Sequence, residues 1–270
     1  MNKRNLQIVM LGTGHATVKK YYNTCFVFRE NNECFMVDAG GGNQVLRILD
    51  EQGIALSQVH DLFISHSHSD HILGAVWIIR MIGHLIKENK YEGDFKIYAN
   101  EQAIEGLQAI CKYVLLSATT DLFGNRIKMI TLQDGDSYTI LNREITFFDI
   151  KSTKLLQFGF EIKEEKLLFC GDEPLKEPLY YKAVNVDYLL HEAFCLYSEC
   201  DKFKPYEKHH STVKDVCLMA ESFGIKNLVL MHTEDSHYSD RKELYSAEGK
   251  RYYSGNLLIP NDGESIIIKN

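Results

Sequence analysis

Short apolar runs separated by polar turns dominate the first part of the chain. Residues 6–11 form such a run and end in Gly12-Thr13-Gly14, a pattern for a buried strand and a tight turn. Residues 24–28 and 33–37 predict two further strands across the turn Asn31-Asn32. Asp38 follows, then Gly40-Gly41-Gly42. Asn43 is placed to cap a helix over residues 44–52, with Gly53 as its stop. A strand over 61–65 runs straight into His66, and residues 72–90 predict a helix apolar on nearly every face, hence largely buried.

Downstream, 96–99 reads as a strand and 101–116 as a helix. Strands follow over 128–132, 138–141, 144–150, 157–162 and 167–170, with a short one over 188–190 before His191. Residues 212–223 predict a helix opened by a capping box, Thr212 with Asp215. A strand over 227–231 runs into His232, residues 240–246 read as helical, and 257–260 with 265–269 predict a final hairpin. The strands come in clusters with helices between them, so strict βαβ alternation is absent and a doubly wound sheet is disfavoured. The expected class is α/β of the α+β type, a four-layer αββα sandwich. With no repeat and only 4 prolines to make a linker, one domain over residues 1–270 is expected.

Composition narrows the class. Apolar residues at 45% and charged residues at 25% are ordinary globular usage and exclude a disordered or low-complexity chain. The net charge of −7 argues against a broad cationic surface for nucleic acid, while a local basic channel stays open. The 7 cysteines are odd in number and form no CxxC pair, which favours free thiols in a reducing cytoplasm over disulfides or a thiolate zinc site. Residues 1–5 lead into no signal-peptide core, and the apolar stretch 72–86 is broken by Arg80 and His84, so no membrane association is expected.

The chemistry concentrates in Ser65-His66-Ser67-His68-Ser69-Asp70-His71. Three imidazoles and a carboxylate lie within six residues at a strand end, and both are preferred ligand types for zinc-like divalent ions. In an extended segment His66 and His68 point the same way, while Asp70 and His71 open the next helix and reach a second point on that side. The glycine clusters fit neither GxGxxG nor a P-loop and read as tight turns. No GxSxG is present. His15, His60, His84 and His237 stand alone and read as structural or solvated, with His15 also open as a cleft residue.

The His66-x-His68-x-Asp70-His71 pattern resembles the signature of the metallo-β-lactamase superfamily, and the resemblance runs over nearly the whole chain. Asp38, Gly171-Asp172 and His232 stand where that family places an orienting aspartate, a bridging aspartate and the last ligand histidine. The nearer resemblance is to the ribonuclease Z branch. It rests on Leu11-Gly12-Thr13-Gly14, Asn23-Thr24, the segment Asp38 to Gly42, His191-Glu192-Ala193-Phe194 and His210-Ser211-Thr212. The resemblance implies two divalent ions, zinc or manganese. His66, His68 and Asp172 would hold one; Asp70, His71, Asp172 and His232 the other. A metal-held hydroxide oriented by Asp70 would attack a phosphodiester, with Glu192 and His210 serving the phosphate and the leaving oxygen.

Two departures stand out. The position expected to carry a third ligand histidine, after strand 144–150, is Lys151, followed by Ser152-Thr153. An ammonium there donates no lone pair and repels a dication, so a weakened first site is expected, unless the lysine swings out or itself supplies charge. The branch's long tRNA-binding arm also has no counterpart between Lys151 and Asp172. The expected function is a metal-dependent hydrolase, a phosphodiesterase or ribonuclease Z-like nuclease acting on RNA, a nucleotide or a small phosphodiester. The alternatives are a metal- or nucleotide-binding protein with a degenerate site, and a thioester or lactam-type hydrolase. A homodimer is left open.

Overall fold

The computed structural model describes residues 6–269. Residues 1–5, read above as carrying no leader, lie outside the described residues. The first half supplies β1 (Leu6–Gly12), β2 (Cys25–Glu30), β3 (Glu33–Val37), β4 (Val59–Ile64), β5 (Phe95–Ala99) and β6 (Ile127–Thr131). The second supplies β7 (Ser137–Ile140), β8 (Arg143–Asp149), β9 (Phe158–Ile162), β10 (Leu167–Phe169), β11 (Tyr188–Glu192), β12 (Asn227–Met231), β13 (Asn256–Leu258) and β14 (Ser265–Ile268). Two seven-stranded sheets result, ordered β14-β1-β2-β3-β4-β5-β6 and β13-β12-β11-β10-β9-β8-β7. The longer helices are α1 (Gln44–Glu51), α2 (Ser69–Lys87), α3 (Glu101–Val114), α4 (Val213–Ser222) and α5 (Arg241–Gly249).

The αββα layering follows from burial on both faces of each strand. In β1, Ile8 and Met10 join the cluster between the sheets, while Val9 and Leu11 join the cluster under α1–α3. In β12, Val229 and Met231 face the other sheet, while Leu228 and Leu230 pack in the cluster that holds Val213, Val216 and Tyr245 of α4 and α5. Side chains alternate with period two, so a strand covered on both faces reads as one unbroken apolar run. The layer between the sheets is aromatic, with Phe28, Phe35, Phe63, Phe147, Phe160 and Phe169 among its buried rings.

Three sequence expectations are corrected. Residues 257–260 and 265–269 do not form a hairpin: β13 pairs parallel with β12, and β14 pairs antiparallel with β1. The connecting turn docks on the first sheet instead, where Asp262 accepts from Thr13 Oγ1 and Tyr22 N, and Gly263 N donates to Met10 O. Asn43 makes no side-chain cap, because its backbone is already helical (φ −70°, ψ −12°); the preceding turn is held by Tyr22, whose hydroxyl donates to Gly42 O at 2.8 Å. Helix α2 begins at Ser69 rather than residue 72, so Asp70 and His71 lie in its first turn.

Helix α2 touches the Ala39–Gly40 turn through Gly74, whose amide donates to Gly40 O at 2.8 Å. A Cβ there would fall 1.9 Å from Ala39 O, which is backbone and cannot step aside. We expect Gly74→Ala to lower unfolding stability by about 1–3 kcal/mol, the range for overpacking a tight interior, despite its better helix propensity. Denaturant titration checks this; an unchanged or raised midpoint would refute the contact.

Candidate metal centre

The candidate residues leave the carboxyl ends of parallel strands. Asp38 follows β3 and His66 follows β4, which pair in parallel in one sheet. Asp172, Glu192 and His232 lie at the ends of β10, β11 and β12, which pair in parallel in the other. Three of these exits carry left-handed backbone: Asp38 (φ +53°), Gly171 (φ +75°) and His232 (φ +57°). Non-glycine residues hold such angles only where the surroundings impose them.

Five buried groups converge there. Asp172 Oδ2 lies 3.5 Å from His66 Nε2, 3.7 Å from His71 Nε2 and 3.6 Å from His232 Nε2. Asp70 Oδ2 lies 3.3 Å from His71 Nε2 and 3.7 Å from His232 Nε2. His66, His71 and Asp172 form one compact ligand-type group, and Asp70, His71 and His232 a second. His68 is half-buried at the edge and reaches the cluster through His66, with 2.8 Å between its Nδ1 and His66 Nε2. Asp38 takes no place inside. Its Oδ2 is 2.8 Å from His71 Nδ1 and accepts from Ser65 Oγ, while its Oδ1 accepts from Ser65 N. That bond fixes the His71 ring with Nε2 turned into the cluster.

The arrangement fits divalent cations. His71 Nε2 and both ring nitrogens of His232 are buried without a hydrogen-bond partner among the described residues. Orphaned buried nitrogens are costly, and a cation that takes the lone pairs of His71 Nε2 and of one His232 nitrogen removes that part of the cost. Ligand atoms on a tetrahedral ion with bonds of about 2.0–2.2 Å stand about 3.3–3.6 Å apart, close to the spacings around Asp172 Oδ2. Electrostatics point the same way. Burial opposes ionisation of Asp70 and Asp172, but neighbouring imidazoles outweigh it and hold both carboxyls well below their usual range. Burial also opposes a charge on His71, yet Asp70 and Asp38 outweigh it and raise that imidazole well above its usual value. Without a metal the carboxylates draw a proton onto His71; a bound dication takes that proton's place.

A second pair sits beside the cluster. Glu192 is fully buried, and its Oε1 accepts from Ser211 N at 2.7 Å. Its Oε2 is 3.6 Å from His210 Nδ1. Burial disfavours the charged His210 ring, but Glu192 outweighs it and raises the ring above the usual histidine value. The His210 ring lies 5.1 Å from that of His232 and stacks on Phe194, 12° from parallel. Its neighbour His209 turns away to Thr153 Oγ1, 2.8 Å distant. His15 does line this cleft: its ring is 4.7 Å from Phe194 and 6.2 Å from His232. Burial, aided by His232 and His210, pushes its imidazole down to about 4. Lys208 lies over Phe194 at 4.8 Å, whereas the Tyr206 hydroxyl donates to Asp215.

Lys151 does not enter the cleft. Left-handed backbone (φ +60°) turns it outward, its Nζ lies 2.9 Å from Asp149 Oδ2 and 3.8 Å from Asp134 Oδ2, and Asp149 raises its pKa. The expected repulsion of a dication is therefore absent; what differs from the family pattern is a missing donor. Gln157 stands on that side instead, 2.9 Å from His66 Nδ1 and bonded through Nε2 to Asp172 Oδ1. Glu173 is buried and anchors the loop by accepting from Ser152 Oγ at 2.6 Å. The same loop brings the exposed Lys154 within electrostatic reach of His68 and His210. We expect Lys151→Ala to leave metal content unchanged and to shift stability by less than about 1 kcal/mol, as for a surface ion pair. Metal titration checks this, and a large gain in metal affinity would show that the ammonium faces the site.

The family described as "Anti-Pycsar protein Apyc1" matches residues 6–251. The ribonuclease Z of Methanocaldococcus jannaschii is 24% identical, covering 98% of this chain and 98% of its own length. Among solved structures, the metallo-β-lactamase fold protein YhfI from Bacillus subtilis superposes with a TM-score of 0.76 at 18% identity, covering 97% of this chain and 99% of its own. Human tRNase Z, short form, does so with a TM-score of 0.74 at 20% identity, covering 98% and 100%. At these identities the two structures speak for the fold. Two sheets of matching architecture and a family match spanning nearly every element establish that this metallo-β-lactamase fold chain belongs to the Anti-Pycsar protein Apyc1 family.

Proposed function

We propose that the protein is a metal-dependent phosphodiesterase, with one domain over residues 1–270 carrying the whole site. The observation that carries this reading is the convergence of three imidazole Nε2 atoms on Asp172 Oδ2, with the Glu192–His210 pair beside it. In the proposed assignment His66, His68 and Asp172 hold one divalent ion, and Asp70, His71, Asp172 and His232 hold the second. Zinc or manganese suits this imidazole and carboxylate set. Such ions supply an activated water and neutralise charge on the phosphoryl oxygens.

The chain's own residues do the rest. Asp172 and Asp70 provide buried negative charge that retains cations, and Asp38 keeps His71 in register. His210 faces the cleft as a hydrogen-bond donor, kept protonated by Glu192, and supplies the proton taken up by the leaving oxygen. Phe194 and His15 wall the approach. A small phosphodiester such as a cyclic nucleotide suits this reading better than folded RNA, because β9 and β10 take up much of the short span from Lys151 to Asp172 and leave it no length for a long arm. RNA 3′-end processing is the second reading, favoured by the curated relatives named ribonuclease Z.

The reading also includes a cytoplasmic location, on the strength of cysteines that are all free. No helix of the described residues is long and apolar enough to cross a membrane. Elemental analysis of the purified protein, paired with hydrolysis of bis-p-nitrophenyl phosphate, tests the function. At least two ions per chain and metal-dependent release of p-nitrophenol are expected. Two ions with no phosphodiester turnover, or turnover insensitive to chelation, would overturn it.

A further inference from the structure

Outside the Asp172 cluster, Glu199, Glu234 and His237 bring ligand-type atoms within 4.8 Å of one another. His237 Nε2 is 2.8 Å from Glu199 Oε2. Glu234 is 2% exposed. One of its oxygens, Oε2, accepts from Ser236 N, and the other, Oε1, is buried with no partner among the described residues. A buried carboxylate oxygen left unpaired is costly, and a second carboxylate close by adds repulsion.

Nearby cations do not relieve it. Lys202 Nζ lies 3.1 Å from Glu199 Oε1, the oxygen not paired with His237, and its side chain is 57% exposed. The buried Arg241 directs its Nη donors to Thr13, Thr233, Pro260 and Asn261, its Nε has no partner among the described residues, and no ion pair joins it to Glu234. We propose that Glu199, Glu234 and His237 form a third divalent-metal site, separate from the Asp172 centre. Two carboxylate oxygens and one imidazole nitrogen suit a zinc- or manganese-class ion, with water completing the shell. Binding replaces the His237–Glu199 hydrogen bond with two bonds to the ion and gives Glu234 the positive partner it lacks.

The site ties two segments that border the catalytic cleft. Glu199 ends the turn Tyr197–Glu199, downstream of Phe194, whose ring stacks on His210. Glu234 and His237 lie on the segment that begins with His232, and Glu234 N donates to Phe194 O at 2.8 Å. An ion here staples the two segments and fixes the wall against which His210 packs. Its role is to hold that wall in place rather than to touch substrate.

The test strips the protein with a chelator, refills it with zinc chloride, removes free ion and counts zinc per chain. His237→Gln and Glu199→Gln each delete a ligand that is partly exposed, so folding is retained even where Glu234→Gln fails to fold. Both variants are expected to hold one zinc fewer than the unmodified protein, and zinc is expected to raise the melting temperature of the stripped variants by less. Conversely, His71→Gln is expected to lose zinc from the Asp172 centre and to keep this ion. Equal zinc counts in His237→Gln, Glu199→Gln and the unmodified protein would overturn the proposal. That result leaves the phosphodiesterase reading standing, whereas failure of that reading appears in the His71→Gln count and in the phosphodiester assay.

Discussion

Asp172→Asn is expected to lower the metal held at its own centre from two ions toward none at modest metal concentration, and to reduce turnover by about 10³-fold or more. The reason is geometric. Its Oδ2 is the oxygen that stands 3.5–3.7 Å from three imidazole nitrogens on two distant segments. Asparagine keeps the shape and loses the charge. The cluster would then hold three inward imidazoles with only Asp70 inside and Asp38 behind them to retain two dications. A 10³-fold effect corresponds to about 4 kcal/mol of lost transition-state stabilisation, within the range a bound metal supplies. Metal content and turnover should fall together. Because Gln157 Nε2 donates to Asp172 Oδ1, the variant's amide oxygen is expected to face Gln157 and keep that bond, and unfolding should be followed alongside. A folded variant with its full metal content would refute the bridging role.

Much of this centre was legible along the chain because its residues sit where apolar runs stop. His66 and His232 each follow directly on strands covered on both faces, and such strands read as unbroken apolar stretches whose ends are sharp. The density of imidazoles in residues 66–71 needed no tertiary information. Other features depend on contacts between distant segments. The first turn of α2 is polar, with Ser69, Asp70 and His71 at its start and the last two in the buried cluster, so apolar periodicity starts late and misplaces the helix start. Whether β14 pairs with β13 or β1 is decided by Asp262 and Gly263 docking on the first sheet, which no local pattern encodes. Gln157 carries no ligand signature; only its position before β9 brings its amide against His66 and Asp172. The direction of Lys151 is likewise a backbone property, set by its positive φ and by Asp149 two residues earlier.

His210→Ala is expected to cut turnover by about 10²–10⁴-fold on substrates with a sugar alkoxide leaving group, the usual range for a general acid. Metal content should stay at the unmodified level, since His210 pairs with Glu192 and lies outside both ligand-type groups. The leaving group separates a proton donor from a residue that merely shapes the cleft. An alkoxide needs a proton as its bond to phosphorus breaks, whereas p-nitrophenolate departs without one. The variant should therefore lose far more activity on a cyclic nucleotide than on bis-p-nitrophenyl phosphate. Glu192→Gln removes the charge that raises the His210 ring, and it should shift the loss in the same direction to a smaller extent. Equal losses on the two substrates would assign His210 to binding or packing, where its stacking on Phe194 already gives it a structural part. Loss of metal in the variant would make His210 a ligand and remove the acid from the mechanism.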